Sequence, residues 1–289
     1  MSFGSHLRRR AAASLGCLLL AAPAAAMTLA PALPGSFAAG RGVDAVFLDV
    51  DDAWHQSTVL WNESTGRYGS GAAIGSMPWG SGLWGLADWR TANLAPTPGM
   101  VVGRWEGRVP TIGFGDATYT ALHAPRWGAV APLPLAGTGG AQDNWTAHFH
   151  GYIRIAEAGA YNFGVLHDDG FFFRLVGAGG QAAALAHDFL NPREVLGFDA
   201  DLQLAPGLYG FELGAYDRLE AGVVDLAWAR NGGAWQRVPR DSLVAAADAL
   251  LVPEPGTVVL WLAGALALAA LTRALRRALR PPPAARPDR

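Results

Sequence analysis

The sequence predicts an all-β protein, an antiparallel β-sandwich carried between an N-terminal signal peptide and one C-terminal transmembrane helix. Three observations predict it. Between the two ends, Gly and Pro interrupt the chain every eight to twelve residues, the rhythm of short strands joined by turns. No long stretch there keeps the 3.6-residue apolar period of an amphipathic helix. From Trp145 to Ile155, side chains alternate cleanly enough to assign two faces.

On that segment Trp145, Ala147, Phe149, Gly151, Ile153 and Ile155 share one face, and Thr146, His148, His150, Tyr152 and Arg154 share the other. A period of two is the signature of a half-buried strand. Glu157-Ala158-Gly159 reads as a turn, and the following AYNFGVL places Tyr161, Phe163 and Val165 on one side. HDDG leads into FFFRLV. Beyond it DLQL, the turn APG, LYGFELGAY and VVDLAWAR add three more strands. The expected order is an antiparallel meander, since no βαβ alternation is present. The organisation that follows is a β extension of open status over 27–84, the sandwich over 85–244 and a linker over 245–252.

Both ends carry targeting signals. Residues 1–26 hold Arg8, Arg9 and Arg10, the apolar run AAASLGCLLLAA, and small residues at Ala24 and Ala26. That order is a secretory signal peptide, cleaved by signal peptidase between Ala26 and Met27. The sole cysteine, Cys17, lies inside it, so the exported chain is expected to have no disulfide. At the other end, residues 256–272 run for 17 positions without a charge. As a helix they would span about 25 Å, near the lower limit for a hydrocarbon core of about 30 Å. Their apolar residues fall on every face, unlike those of a helix resting on a domain. Arg273, Arg276, Arg277 and Arg280 follow and would hold that end on the cytoplasmic side of the bilayer.

Pro253-Glu254-Pro255 stands immediately before this span. Tripeptide, short span and arginine cluster, in that order, resemble the PEP-CTERM sorting tail of Gram-negative bacteria over residues 253–289. The resemblance implies recognition by an exosortase, transient anchoring in the inner membrane, and a final place at the cell surface or in an exopolysaccharide matrix.

The full chain has 22 basic residues, all arginine, and 24 acidic ones. Residues 1–26 take three of the arginines, and 253–289 take six arginines and two acids, which leaves 13 basic against 22 acidic residues between them. An acidic body excludes a nucleic-acid partner, which selects basic patches, and suits a divalent cation.

Within the body, Gly151-Tyr152, Gly159, Tyr161, Phe163, Asp168-Asp169-Gly170, Gly207, Tyr209 and Trp228 together resemble the anthrax protective-antigen-type (PA14) domain. The resemblance covers roughly residues 140–230 and extends more weakly upstream towards Trp84. One departure is Val176-Gly177-Ala178, where the family often has a second Asp-Gly. In lectin-like members the paired aspartates bind Ca²⁺, which itself ligates sugar hydroxyls. The resemblance therefore implies Ca²⁺ as cofactor, with Asp168 and Asp169 as ligands and an extracellular polysaccharide as partner. Asp217 and Glu220 are further candidates by position. Carboxylates are the hard oxygen donors that Ca²⁺ takes at about 2.3–2.6 Å. The bland alternative is that Asp168-Asp169-Gly170 is only a hairpin turn, where Asp and Gly are common for backbone reasons.

Other motifs carry less. Asp49-x-Asp51 resembles the first motif of haloacid-dehalogenase-type phosphatases, but those enzymes need a lysine and this chain has none. His148 and His150, with His167 as a third candidate, have a spacing open to Zn²⁺, against a reading as solvated histidines. Trp54, Trp61, Trp79, Trp84, Trp89 and Trp105 form either a sugar-stacking platform or, more simply, core. Nothing in the residues argues for an enzyme. The sequence thus leads to an exported carbohydrate- or matrix-binding module, with two alternatives left open: a structural matrix protein without a specific ligand, and a surface hydrolase.

Overall fold

The computed structural model of the protein describes residues 26–35, 37–52, 54, 60–62, 67–69, 82–135, 143–188, 190 and 193–250. Pro253, Glu254, Pro255, Arg273, Arg276, Arg277 and Arg280 lie outside these residues, as does the signal segment up to residue 25. Among the described residues no helix is long and apolar enough to cross a membrane.

Trp145–Ile155 forms one uninterrupted strand, as its alternation predicts. Trp145, Ala147, Phe149 and Ile153 are fully buried. Each large side chain buried in this way contributes about 1.5–3 kcal/mol, which is why the register of this strand is firmly set. It lies within a sheet whose order is Ala182–His187, Gly170–Val176, Gly207–Asp217, Trp145–Ile155, Val43–Val50 and Val101–Val109. The facing sheet runs Met27–Leu29, Leu202–Leu204, Gly159–Asp168, Val223–Arg230, Gly113–Gly115 and Ala131–Pro132. Nearly all pairings are antiparallel, with parallel exceptions at Met27–Leu29 and at Ala131–Pro132. Between the sheets sits the main core, in which Phe47, Phe114, Phe149, Phe163, Phe173 and Trp228 interlock.

The order is not a meander. The chain crosses between the sheets from Trp145–Ile155 to Gly159–Asp168 and on to Gly170–Val176, and again from Leu202–Leu204 to Gly207–Asp217 and Val223–Arg230, whereas Gly170–Val176 and Ala182–His187 form a hairpin within one sheet. Most of these short connections are therefore crossings over the end of the sandwich rather than hairpins. Periodicity reports which face of a strand is buried but not which sheet buries it. At one crossing Gly207 adopts φ +151°, and a Cβ there would stand 2.7 Å from the Leu33 carbonyl oxygen.

Two segments ahead of residue 85 belong to the same two sheets, since Met27–Leu29 pairs with Leu202–Leu204 and Val43–Val50 sits between Trp145–Ile155 and Val101–Val109, whereas Leu60–Asn62 and Arg67–Gly69 pair with each other in a small sheet of their own. The helix Leu86–Leu94 lies on the outer face of the sheet that contains Trp145–Ile155. Its Trp89 donates through Nε1 to the Ala147 carbonyl at 3.0 Å, and Asn93 donates to Thr146 Oγ1 at 3.0 Å. Thr146, on the face expected to be polar and open, is consequently buried. Residues 246–250 form a short helix with Ala249 buried against Leu208 and Val244.

Candidate functional site

The crossings at one end of the sandwich bring the acidic residues together. Gly159–Asp168 ends in Asp168, Asp169 alone bridges to the other sheet, and Gly170–Val176 begins at once. These two strands pair with other partners and not with each other, so Asp168-Asp169-Gly170 is not a hairpin turn. The peptide bond between Asp168 and Asp169 is cis. Gly170 is required by space: a Cβ there would lie 2.5 Å from the Tyr216 ring and 2.7 Å from the His187 carbonyl oxygen. Register delivers the neighbours. Asp168 pairs with Val223, which pairs in turn with Gly115, directly before Asp116. Asp217 pairs with Trp145, which also pairs with Asp49.

A cleft of about 550 Å³ opens at this end, lined by Asp168, Asp169, Arg193, Arg218, Leu219 and Glu220 among others, a size within the usual range for small-molecule sites. Leu219 leaves about half of its surface exposed on the rim. The Asp169 carboxylate accepts the Arg218 N–H at 2.9 Å, and the Asp169 N–H donates to the Tyr216 carbonyl at 2.9 Å. Arg218 stacks its guanidinium over Trp84 at 3.8 Å from the ring centroid, a cation–π contact that fixes one wall.

Asp217 lies beneath the cleft. It is fully buried, and neither carboxylate oxygen has a hydrogen-bond partner. Burial, followed by the charges of Asp169, Asp116, Asp168 and Asp143, pushes its carboxyl far above the ordinary range. Burial and the adjacent Asp169 raise Asp168 to about 7, opposed by Arg193. Asp116 and Asp143 are raised as well, each chiefly by burial. Asp116 caps the helix Ala117–Leu122, accepting the Tyr119 N–H at 2.6 Å, and its other oxygen accepts from the Gly222 N–H. Five carboxyls thus share an end of the sandwich where Arg193 and Arg218 are the cleft's cations. A buried carboxylate without a partner is costly, and hard oxygens in excess of cations are the donor type that Ca²⁺ takes. Among the described residues no three of these carboxyls bring their oxygens within 4.8 Å of one another, so the donor chemistry, centred on the adjacent Asp168 and Asp169, is what suits that ion.

The predicted site residues fall as follows. Asp168, Asp169 and Glu220 line the cleft, with Glu220 at φ +72° in the loop after Asp217, and Asp217 lies behind them. Asp116 and Asp143 were not foreseen, because only the fold brings them in. The Asn144 side chain is buried beside this end, accepting the Leu83 N–H at 2.7 Å and donating to the Val50 carbonyl at 3.0 Å. His148 and His150 stay on the outer face, where His148 meets Glu212 at 2.9 Å. His167 belongs to the other sheet and joins neither. Trp84 and Trp89 are core and Trp105 packs against it, whereas Trp235 is 39% exposed.

Comparison with known proteins bears on this end of the chain. The PA14 domain model matches residues 135–177. That span contains the whole of Asp168-Asp169-Gly170 and both strands it joins. Solved structures to which the chain is similar include the PA14 domain of the MpAFP antifreeze protein, at 14% identity and TM-score 0.42 over 74% of this chain and 95% of that one. A PA14 sugar-binding domain from an RTX adhesin is similar at 15% identity and TM-score 0.42, over 72% of this chain and all of that one. The Epithelial Adhesin 6 A domain from Candida glabrata, solved in complex with Galb1-3GlcNAc, aligns at 17% identity and TM-score 0.47 over 76% of this chain and 92% of that one. No curated protein matches the sequence.

Proposed function

We propose that the protein is an exported surface or extracellular-matrix module that binds carbohydrate, or a neighbouring matrix component, at the Asp168–Asp169 end of its sandwich, with Ca²⁺ as cofactor. The observation that carries this is Asp217: a fully buried carboxylate without hydrogen-bond partners, directly behind two carboxyls that line an open cleft. A bound divalent cation removes the cost of that arrangement. Asp168 and Asp169 would hold the ion, with Asp217 supplying further negative charge. Bound there, Ca²⁺ presents open coordination positions to vicinal hydroxyls. The chain's own residues shape the rest. Arg193, Arg218 and Glu220 offer hydrogen bonds around the cleft, and Leu219 offers an apolar surface to a sugar ring.

The two ends of the sequence supply the address. The signal segment with its junction at Ala26–Met27 supports export, and Pro253-Glu254-Pro255 before an apolar run and four arginines supports processing by an exosortase. The test is a glycan array probed with the protein in Ca²⁺ and in chelator, alongside Asp169→Ala. Binding to a defined set of glycans that chelator and the substitution both abolish is the expected result. Binding indifferent to both would remove the calcium site, and absence of binding to any glycan would leave a structural matrix protein.

A further inference from the structure

We propose a second, separate metal site for a zinc-class ion, formed by His167, His187 and Glu194. Among the described residues these are the one set of three potential ligands whose donor atoms all lie within 4.8 Å of one another. They come from three strands. His167 and Glu194 are direct partners across the pairing of Gly159–Asp168 with Glu194–Gly197, and His187 ends Ala182–His187 in the other sheet. His187 Nδ1 lies 2.8 Å from Glu194 Oε1, and His167 Nε2 lies 3.9 Å from the same oxygen.

His167 points to a ligand rather than to a packing role. It is fully buried, and its Nδ1 stands 2.6 Å from the Asp169 carbonyl oxygen. A carbonyl can only accept, so Nδ1 carries the proton and Nε2 presents a lone pair. That lone pair is buried and has no hydrogen-bond partner. One ring N–H held by a backbone carbonyl, with the other nitrogen open towards acceptor groups, is the usual posture of a metal-bound histidine. Two imidazoles and one carboxylate form a borderline donor set that suits Zn²⁺, whereas Ca²⁺ takes oxygens. Bond lengths of about 2.0–2.2 Å require donors a little over 3 Å apart. The side chain of Glu194 is about half exposed, free to open one separation and close the other. An ion here would tie both sheets together directly behind the Asp168–Asp169 crossing, whose carbonyl already holds His167.

The test uses the whole protein, stripped with chelator and titrated with Co²⁺ while visible absorption is followed. One Co²⁺ per chain with the intense bands of a tetrahedral site, displaced by Zn²⁺, is the expected result. His187→Ala, at a partly exposed position, should weaken binding by about tenfold or more, since loss of even an outer partner of a ligand has an effect of that size. Glu194→Gln should weaken it too, and His148→Ala, on the outer face of its sheet, should leave it intact. A spectrum like that of aqueous Co²⁺, unchanged affinity in His187→Ala, or loss only in His148→Ala would each overturn the proposal. The calcium site is judged separately, by the response of Asp169 variants to Ca²⁺.

Discussion

The Asp169 carboxylate accepts the backbone N–H of Arg218 at 2.9 Å, which ties the one-residue crossing between the sheets to the loop that begins just after Asp217. Any change in charge at one is felt at the other. The carboxyls of Asp169 and Asp217 belong to the same electrostatic unit, and Asp169 is the foremost of the charges that raise Asp217.

Asp217→Asn removes the buried carboxyl while keeping its shape. At pH 8 in chelator the variant should be more stable than the wild type by about 1–3 kcal/mol, the scale of an uncompensated buried polar group. Its response to Ca²⁺ should weaken, because the charge behind the two ligands is gone. Chemical denaturation with and without Ca²⁺ checks both, and a variant less stable than wild type in chelator would show that Asp217 has a partner.

Acid should stabilise the metal-free protein across one window. Burial raises Asp168 to about 7 and Asp88 to about 6, both above the unfolded value of about 3.9. The folded state then holds protons that the unfolded chain has released, so this contribution is full below about pH 4 and is lost as pH rises to about 7. His167, lowered to about 4 by burial, acts in the opposite sense between about pH 4 and its unfolded value near 6.5. Asp168→Asn isolates the carboxyl: its midpoint should depend less steeply on pH between 5 and 7 than that of the wild type in chelator. Equal slopes would contradict the placement of Asp168.

Trp89→Ala should cost about 3–5 kcal/mol, the usual loss for a large buried aromatic. Trp89 is 2% exposed, donates to the Ala147 carbonyl and packs edge-on against Phe172. Trp89→Phe should recover most of the packing but not the hydrogen bond, leaving a deficit of about 0.5–1.5 kcal/mol. Equilibrium unfolding measures both.

Asn144→Ala should cost about 1–3 kcal/mol by orphaning the Leu83 N–H and the Val50 carbonyl. It should weaken the Ca²⁺ response as well, because the Asn144 side chain, donating to the Val50 carbonyl and accepting from the Leu83 N–H, fixes the chain beside Asp143. A wild-type denaturation midpoint in Asn144→Ala would show that these bonds are replaced by water.

The strands from Trp145 onward were legible because each buries one face, and burial writes itself into a period of two. Their allocation to sheets was not, since alternation is the same whichever sheet covers it. The helix Leu86–Leu94 escaped notice because its buried set, Leu86, Asp88, Trp89 and Ala92, includes a carboxyl and forms no apolar stripe. Asp168 and Asp169 were legible as an adjacent pair within a family-like pattern, and Asp217 and Glu220 as acids in the loop region between the last two strands. Asp116 reaches the site through Val223 and Gly115, partners set by pairing at long range. His167 looked like a companion of His148 and His150 by residue type. Its strand, however, lies in the other sheet, so its partners became His187 and Glu194.

Thermal unfolding of the protein in Ca²⁺, in chelator, and as Asp169→Ala in Ca²⁺ tests the calcium site most directly. At a hundred times its Kd, a bound ion adds about 2.7 kcal/mol. The wild-type midpoint should therefore rise by several degrees in Ca²⁺, and Asp169→Ala should show no rise. Coincident midpoints for the wild type in Ca²⁺ and in chelator would contradict a metal site at Asp168–Asp169.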